Sequence, residues 1–77
     1  MMKFDGRLDA LKQLLDRYDI HGSWGREPNG VHMMRSADGA NLHWSSGSKS
    51  LWFDGKPLAK RRLASDVAAV LHLIDDE

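Results

Sequence analysis

Apolar residues at Phe4, Leu8, Leu11, Leu15 and Tyr18 fall four, three, four and three apart, and Leu14 widens the stripe. That spacing predicts an amphipathic helix over about 5–19. Asp5 is the expected N-cap, Asp9 favours the positive end of the helix dipole, and Gly22 is the expected stop. Residues 21–30 hold three glycines and a proline, which predicts a turn-rich connection with Trp24 folded back over the core. The pattern then switches to short runs with period two, predicting strands at about 31–36, 40–46 and 50–53. Asp38-Gly39 predicts a two-residue type I′ turn, and Gly47-Ser48 a type II′ turn. Pro57 opens a second helix over about 58–74, with Leu58, Leu63, Val67, Val70, Leu71 and Ile74 as its stripe. Ala59, Ala64 and Ala68 permit its close approach to the sheet. The expected architecture is α+β, in the order α-β-β-β-α: a three-stranded antiparallel meander packed with two amphipathic helices.

With two-residue loops, Val31, Met33, Leu42, Trp44, Leu51 and Phe53 share one face, which is the expected core. The same register lines up Met34, His43 and Trp52 on the other face, with His32, Ser45 and Ser50 in the next row. Cross-strand neighbours lie about 4.5–5.5 Å apart, so such a row is contiguous. Two helices are expected to leave that face open. The alternative is one helix on each face, which would make Met34 and Trp52 ordinary core.

Seventy-seven residues, 42% of them hydrophobic and 29% charged, suit one domain spanning 1–77. Eleven basic residues cancel eleven acidic ones, so neither a nucleic-acid coat nor an acidic mimic is indicated. The chain has no cysteine, no apolar run of signal-peptide length and none of the eighteen or so residues of a membrane span. A cytoplasmic protein is the expectation. Running from Met1 to the acidic Asp75-Asp76-Glu77, it reads as a complete short product.

Candidate chemistry is thin. His21, His32, His43 and His72 are scattered, whereas zinc needs three or four converging ligands; only His32 and His43 would share a face. Gly47-Ser48-Lys49-Ser50 lacks both the upstream glycine and the following helix of a phosphate-binding loop. The serines at 45, 46 and 48 lack a nucleophile elbow, and no carboxylate pair points to a cleft. No catalytic residue, metal or cofactor is expected, and the chain reads as a non-enzyme. One charge bias stands out: Lys49, Lys56, Lys60, Arg61 and Arg62 gather near the second hairpin and the start of the second helix, where cations oppose the helix dipole.

The segment Leu42-His-Trp-Ser-Ser-Gly-Ser-Lys-Ser-Leu-Trp-Phe-Asp-Gly-Lys56 is similar to the TBP-like substrate-binding domain at the N-terminus of ribonuclease HIII. That resemblance covers about fifteen residues and implies duplex contact through the sheet face. It departs by an inserted serine before Lys49 and by Asp54 where glutamine is usual. In size and type the chain resembles small phage-encoded anti-CRISPR inhibitors, which implies a protein partner in a host nucleoprotein complex. The leading expectation is a protein-binding module, anchored by Met34, His43 and Trp52 with Lys49, Lys56, Lys60, Arg61 and Arg62 as a basic rim. Nucleic-acid binding through the sheet and the basic cluster is the alternative. A homodimer through an edge strand or the open sheet face is a third reading.

Overall fold

The structure is a computed structural model and describes residues 2–75. It is α+β, as the periodicities indicate, but the sheet has five antiparallel strands rather than three. In chain order the elements are β1 (Met2–Lys3), α1 (Leu8–Arg17), β2 (Ser23–Glu27), β3 (Val31–Arg35), β4 (Ala40–Ser45), β5 (Ser50–Gly55) and α2 (Pro57–Asp75). Strands β2 to β5 form a meander, and β1 pairs with the free edge of β5, giving the order β1-β5-β4-β3-β2.

Strand β2 lies where the glycine and proline content predicts a loop. Trp24 alternates onto the core side beside Met34, whereas Gly25 stands on the other side with open space around it. Only Pro28, Asn29 and Gly30 make the turn, with Asn29 and Gly30 both at positive φ (66° and 74°). Of the three glycines and the proline in that segment, only Pro28 and Gly30 lie in the turn; Gly25 is within the strand and Gly22 precedes it.

Helix α1 is shorter than its periodicity suggests. Phe4 is buried ahead of it, Arg7 rather than Asp5 occupies the N-cap position, and Tyr18 is exposed just past its end. The stop is not Gly22. Ile20 N–H donates to Leu15 O (2.9 Å) and Asp19 N–H to Asp16 O (3.1 Å), with Asp19 left-handed at φ 59°. This is a Schellman cap with an aspartate where glycine is favoured. Asp19 also puts a negative charge at the negative end of the helix. Asp19→Gly removes both penalties and is expected to stabilise the chain by about 1 kcal/mol, measured by urea denaturation.

The β3–β4 loop corrects the expected register. Ser36 pairs with Ala40 (N–H to O, 2.8 Å), and Gly39 N–H donates back to Ser36 O (3.2 Å). Three residues, Ala37, Asp38 and Gly39, thus make the loop, with Gly39 at φ 97°. The Ser36 hydroxyl donates to the Asp38 carboxylate and accepts the Ala40 N–H (3.0 Å), which fixes the loop at that length. Met34 therefore opposes Leu42 and Met33 opposes His43, one residue out of the two-residue register. That single step exchanges the faces of every β3 side chain. The β4–β5 register matches expectation, with Leu42 opposite Phe53, His43 opposite Trp52 and Trp44 opposite Leu51. Its turn does not, because positive φ falls at Lys49 (64°) and not at Gly47. Strand β5 runs on to Gly55, whose φ of 110° and close approach to Gly39 O leave no room for a Cβ.

One hydrophobic cluster joins Leu11 and Leu15 of α1, Ala59, Leu63, Val67 and Leu71 of α2, and Met34, Leu42, Trp44 and Leu51 of the sheet. All four sheet residues lie on one face, so both helices pack on the same side. Leu58, expected in the α2 stripe, is instead 75% exposed. The expected place of Ile74 in that stripe lies outside the described side chains.

Candidate functional site

With both helices on one side, the second sheet face is uncovered by any described element, and alternation assigns its residues. Gly25, Met33, His43 and Trp52 form one cross-strand row. Glu27, Val31 and Ser45 form the row on one side of it, and Ser23, Arg35, Asn41 and Asp54 the row on the other. The expected open face is therefore real, but its methionine is Met33. Met34 is fully buried on the core side.

His43 organises this face. Its ring lies parallel to the Trp52 indole (3° between planes, 5.3 Å between centroids). Nε2 meets Asp54 Oδ2 at 2.9 Å, and Nδ1 lies 2.7 Å from Glu27 Oε1, whose side chain reaches across β3. The Nδ1–Oε1 pair makes no hydrogen bond although both atoms are buried, so it is a close approach rather than an aligned bond. A neutral imidazole has one N–H to offer, whereas the imidazolium can face both carboxylates.

Asp54 is fixed from its other oxygen. Asn41 Nδ2 donates to Oδ1 (2.7 Å), and Arg35 Nε donates to Asn41 Oδ1 (3.3 Å). The Asn41 hydrogen bond holds the Asp54 carboxyl below its ordinary range against an opposing effect of burial, with His43 and Lys60 acting in the same direction as Asn41. Arg35, Asn41, Asp54, His43 and Glu27 thus form a polar chain across four strands beneath Trp52. The His43 side chain is only 8% exposed, with a carboxylate at each nitrogen and an indole against its ring. Both ring nitrogens thus face carboxylates, and the ring face is covered by the indole. Trp52, 40% exposed, is the part that faces outward.

The basic residues divide. Lys49 is committed to the core side: Nζ donates to Gly6 O (3.2 Å) and sits 5.2 Å over the Trp44 ring. Lys56, Lys60, Arg61 and Arg62 are exposed around the start of α2. Of these, Lys60 comes near enough to Asp54 to influence its charge, which links the cluster to the rim of the open face. His32 does not join His43. It stacks on Trp44 on the opposite side (5.9 Å, 28°), so the two-histidine pairing that the expected register allowed does not form. No group of three or more potential metal ligands occurs among the described residues. No described helix is long and apolar enough to cross a membrane.

Sequence reasoning missed Glu27, Val31, Met33, Arg35, Asn41 and Asp54 as members of this face. The signal for Asn41 and Asp54 was present: both stand two positions from a residue already assigned there, His43 and Trp52 respectively. The others needed the β2 pairing and the true loop length. Comparison of the chain with protein-family models, curated proteins and solved structures finds no match.

Proposed function

We propose that this chain is a non-enzymatic protein-binding module whose recognition surface is the open sheet face, with Trp52 as its anchor. The observation that carries this reading is the held indole. Trp52 stacks on a His43 gripped between Asp54 and Glu27, so the ring is preorganised before any partner arrives. Tryptophan is enriched among residues that dominate binding energy, and rigid anchors lose little entropy on association. Val31 and Met33, both half-buried, extend the apolar surface, and Arg35, Asp54 and Lys60 supply a mixed-charge rim. In the setting that size and type suggest, the partner is a protein of a bacterial defence nucleoprotein complex and the chain is its phage or mobile-element inhibitor.

Binding of nucleic acid is the second reading, supported by the exposed Lys56, Lys60, Arg61 and Arg62. The carboxylates of Glu27 and Asp54 beside Trp52 weigh against it, because phosphates would be repelled from the centre of the face.

The test compares capture of host protein and of labelled nucleic acid by the wild type, by Trp52→Ala, and by a Lys60→Ala/Arg61→Ala/Arg62→Ala variant. Trp52→Ala is expected to weaken protein capture at least ~30-fold, the equivalent of ~2 kcal/mol at an anchor residue. The half-exposed position predicts a melting temperature that stays cooperative and within several degrees of wild type. Undiminished capture by Trp52→Ala would remove the sheet face from the mechanism. Nucleic-acid retardation that falls steeply with salt and depends on the basic triple would establish the second reading.

A further inference from the structure

Strand β2 forms an edge of the sheet with no neighbour on its outer side. Strand β1 covers part of the opposite edge, whereas no described strand pairs beyond β2. Ser23–Glu27 run beside β3 without a bulge, and alternate residues of such a strand turn N–H and C=O away from it. Among the described residues those outward groups have no backbone partner. Edge strands are ordinarily guarded by proline, lysine, a bulge or an inward charge. Within β2 only Arg26 is an uncommitted charge, because Glu27 reaches across β3 to His43.

The middle of that edge is bare. Gly25 begins the row that continues through Met33 and His43 to Trp52. Its backbone does not call for glycine: it lies outside the left-handed region that Gly30, Gly39 and Gly55 occupy, and a Cβ there would touch nothing within 4 Å. A glycine inside a strand gives up packing, and it marks a place where another chain can come close. An aromatic ring on a neighbouring strand repairs such a gap by lying across the glycine. From there it would reach the half-buried Met33, whose thioether suits a ring edge. On the helix side of the same edge, Arg26 and Lys12 have no ion-pair partner among the described residues, and Lys12 Nζ lies 5.4 Å from the Trp24 ring centroid.

We propose that the outer edge of β2 receives an extended segment of a partner protein as an added antiparallel strand, with an aromatic residue opposite Gly25 and an acidic residue opposite Arg26. Backbone pairing supplies the affinity, and those two side chains supply the selectivity. The ring falls on the open face and the carboxylate on the helix side, as alternation requires of neighbours in one strand. A second copy of this chain does not meet that description. Paired antiparallel in one continuous sheet, its β2 can bring only Ser23, Gly25 or Glu27 opposite Gly25, and none of these fills the gap. The edge stands three strand spacings, roughly 14 Å, from β5 and Trp52, so it is a site separate from the anchor proposed above.

Nuclear magnetic resonance titration of the full chain with three blocked synthetic peptides tests this. The first, Thr-Val-Glu-Phe-Thr-Val-Thr, sets phenylalanine opposite Gly25 when its glutamate is opposite Arg26. The second has alanine for phenylalanine, and the third has lysine for glutamate. The first peptide is expected to shift the backbone amides of residues 23–27, slow their hydrogen exchange and bring its ring within Overhauser distance of the Met33 methyl. The other two should bind at least ~3-fold more weakly, the scale of a lost cross-strand pair. Arg26→Glu should reverse the order of the glutamate and lysine peptides. Gly25→Val, whose side chain stands in open space, should keep the fold and abolish the preference for phenylalanine. No shift at β2 with ~5 mM of the first peptide overturns the proposal, as do shifts confined to the surroundings of Trp52 or equal binding of the first two peptides. So does a peptide-free chain that sediments as a dimer with its 23–27 amides already protected, which would give the edge to a second copy.

Discussion

Trp44→Ala is expected to unfold the chain, or to leave it with a melting temperature lowered by well over 10 °C. Trp44 is 1% exposed on β4, the central strand, so truncation removes a full indole from the sheet face that packs against both helices. Large-to-small changes of this kind cost about 3–5 kcal/mol. A domain of this size has on the order of 4–12 kcal/mol of stability in total. The position adds a second loss, because the indole Nε1 donates to Phe4 O at 3.1 Å. Phe4 packs edge-on to the ring (6.3 Å, 67°), and Lys49 spans the ring to reach Gly6 O. One side chain thus ties the segment leading into α1 to the middle of the sheet. Trp44→Phe separates the two effects: it keeps most of the apolar volume and leaves the Phe4 carbonyl without its donor, at a cost of about 1–3 kcal/mol. Thermal and urea denaturation of the two variants measure both, and a Trp44→Ala melting temperature within about 5 °C of wild type would contradict this role.

Much of the fold was legible because its signals are local. Period 3.6 marked α2 nearly to its ends, and alternation marked β3, β4 and β5. Two strands were hidden for different reasons. Strand β1 has two residues, too few to show a period, and exists only because β5 offers it an edge. Strand β2 carries Gly25 where a side chain would have revealed alternation, and the Pro28-Asn29-Gly30 turn following it dominates the composition. The open face was legible as a place but not in its membership. His43, Trp52 and Asp54 could be placed from the second hairpin alone, whereas Glu27, which also grips His43, comes from a strand that meets it only in three dimensions. The exposed Leu58 was the most misleading residue, because a leucine in a helical stripe reads as core whichever way the helix is turned.

The adjacent methionines of β3 provide the sharpest test of the register. Asp38-Gly39 suits both a two-residue type I′ turn and a three-residue loop that ends with glycine in the left-handed region. The two differ by one residue, and one residue decides which methionine is core. Ser36 and Gly39 select the longer loop, which places Met34 between Trp24 and Leu42 with no exposure, and Met33 between Gly25 and His43 on the open face. Met34→Ala is therefore expected to cost about 2–5 kcal/mol, and Met33→Ala less than about 1 kcal/mol. The packing around Met34 reinforces the asymmetry, because a Cβ on Gly22 would come within 2.7 Å of its Cγ, so Gly22 is bare where Met34 fills the space. Binding should show the reverse order, with Met33→Ala weakening capture of a partner at the sheet face and Met34→Ala acting only through loss of folded protein. Paired urea titrations of the two variants decide the matter. Equal destabilisation, or a larger cost at Met33, would mean that the hairpin takes the two-residue register and that the surface beside Trp52 carries Met34 instead.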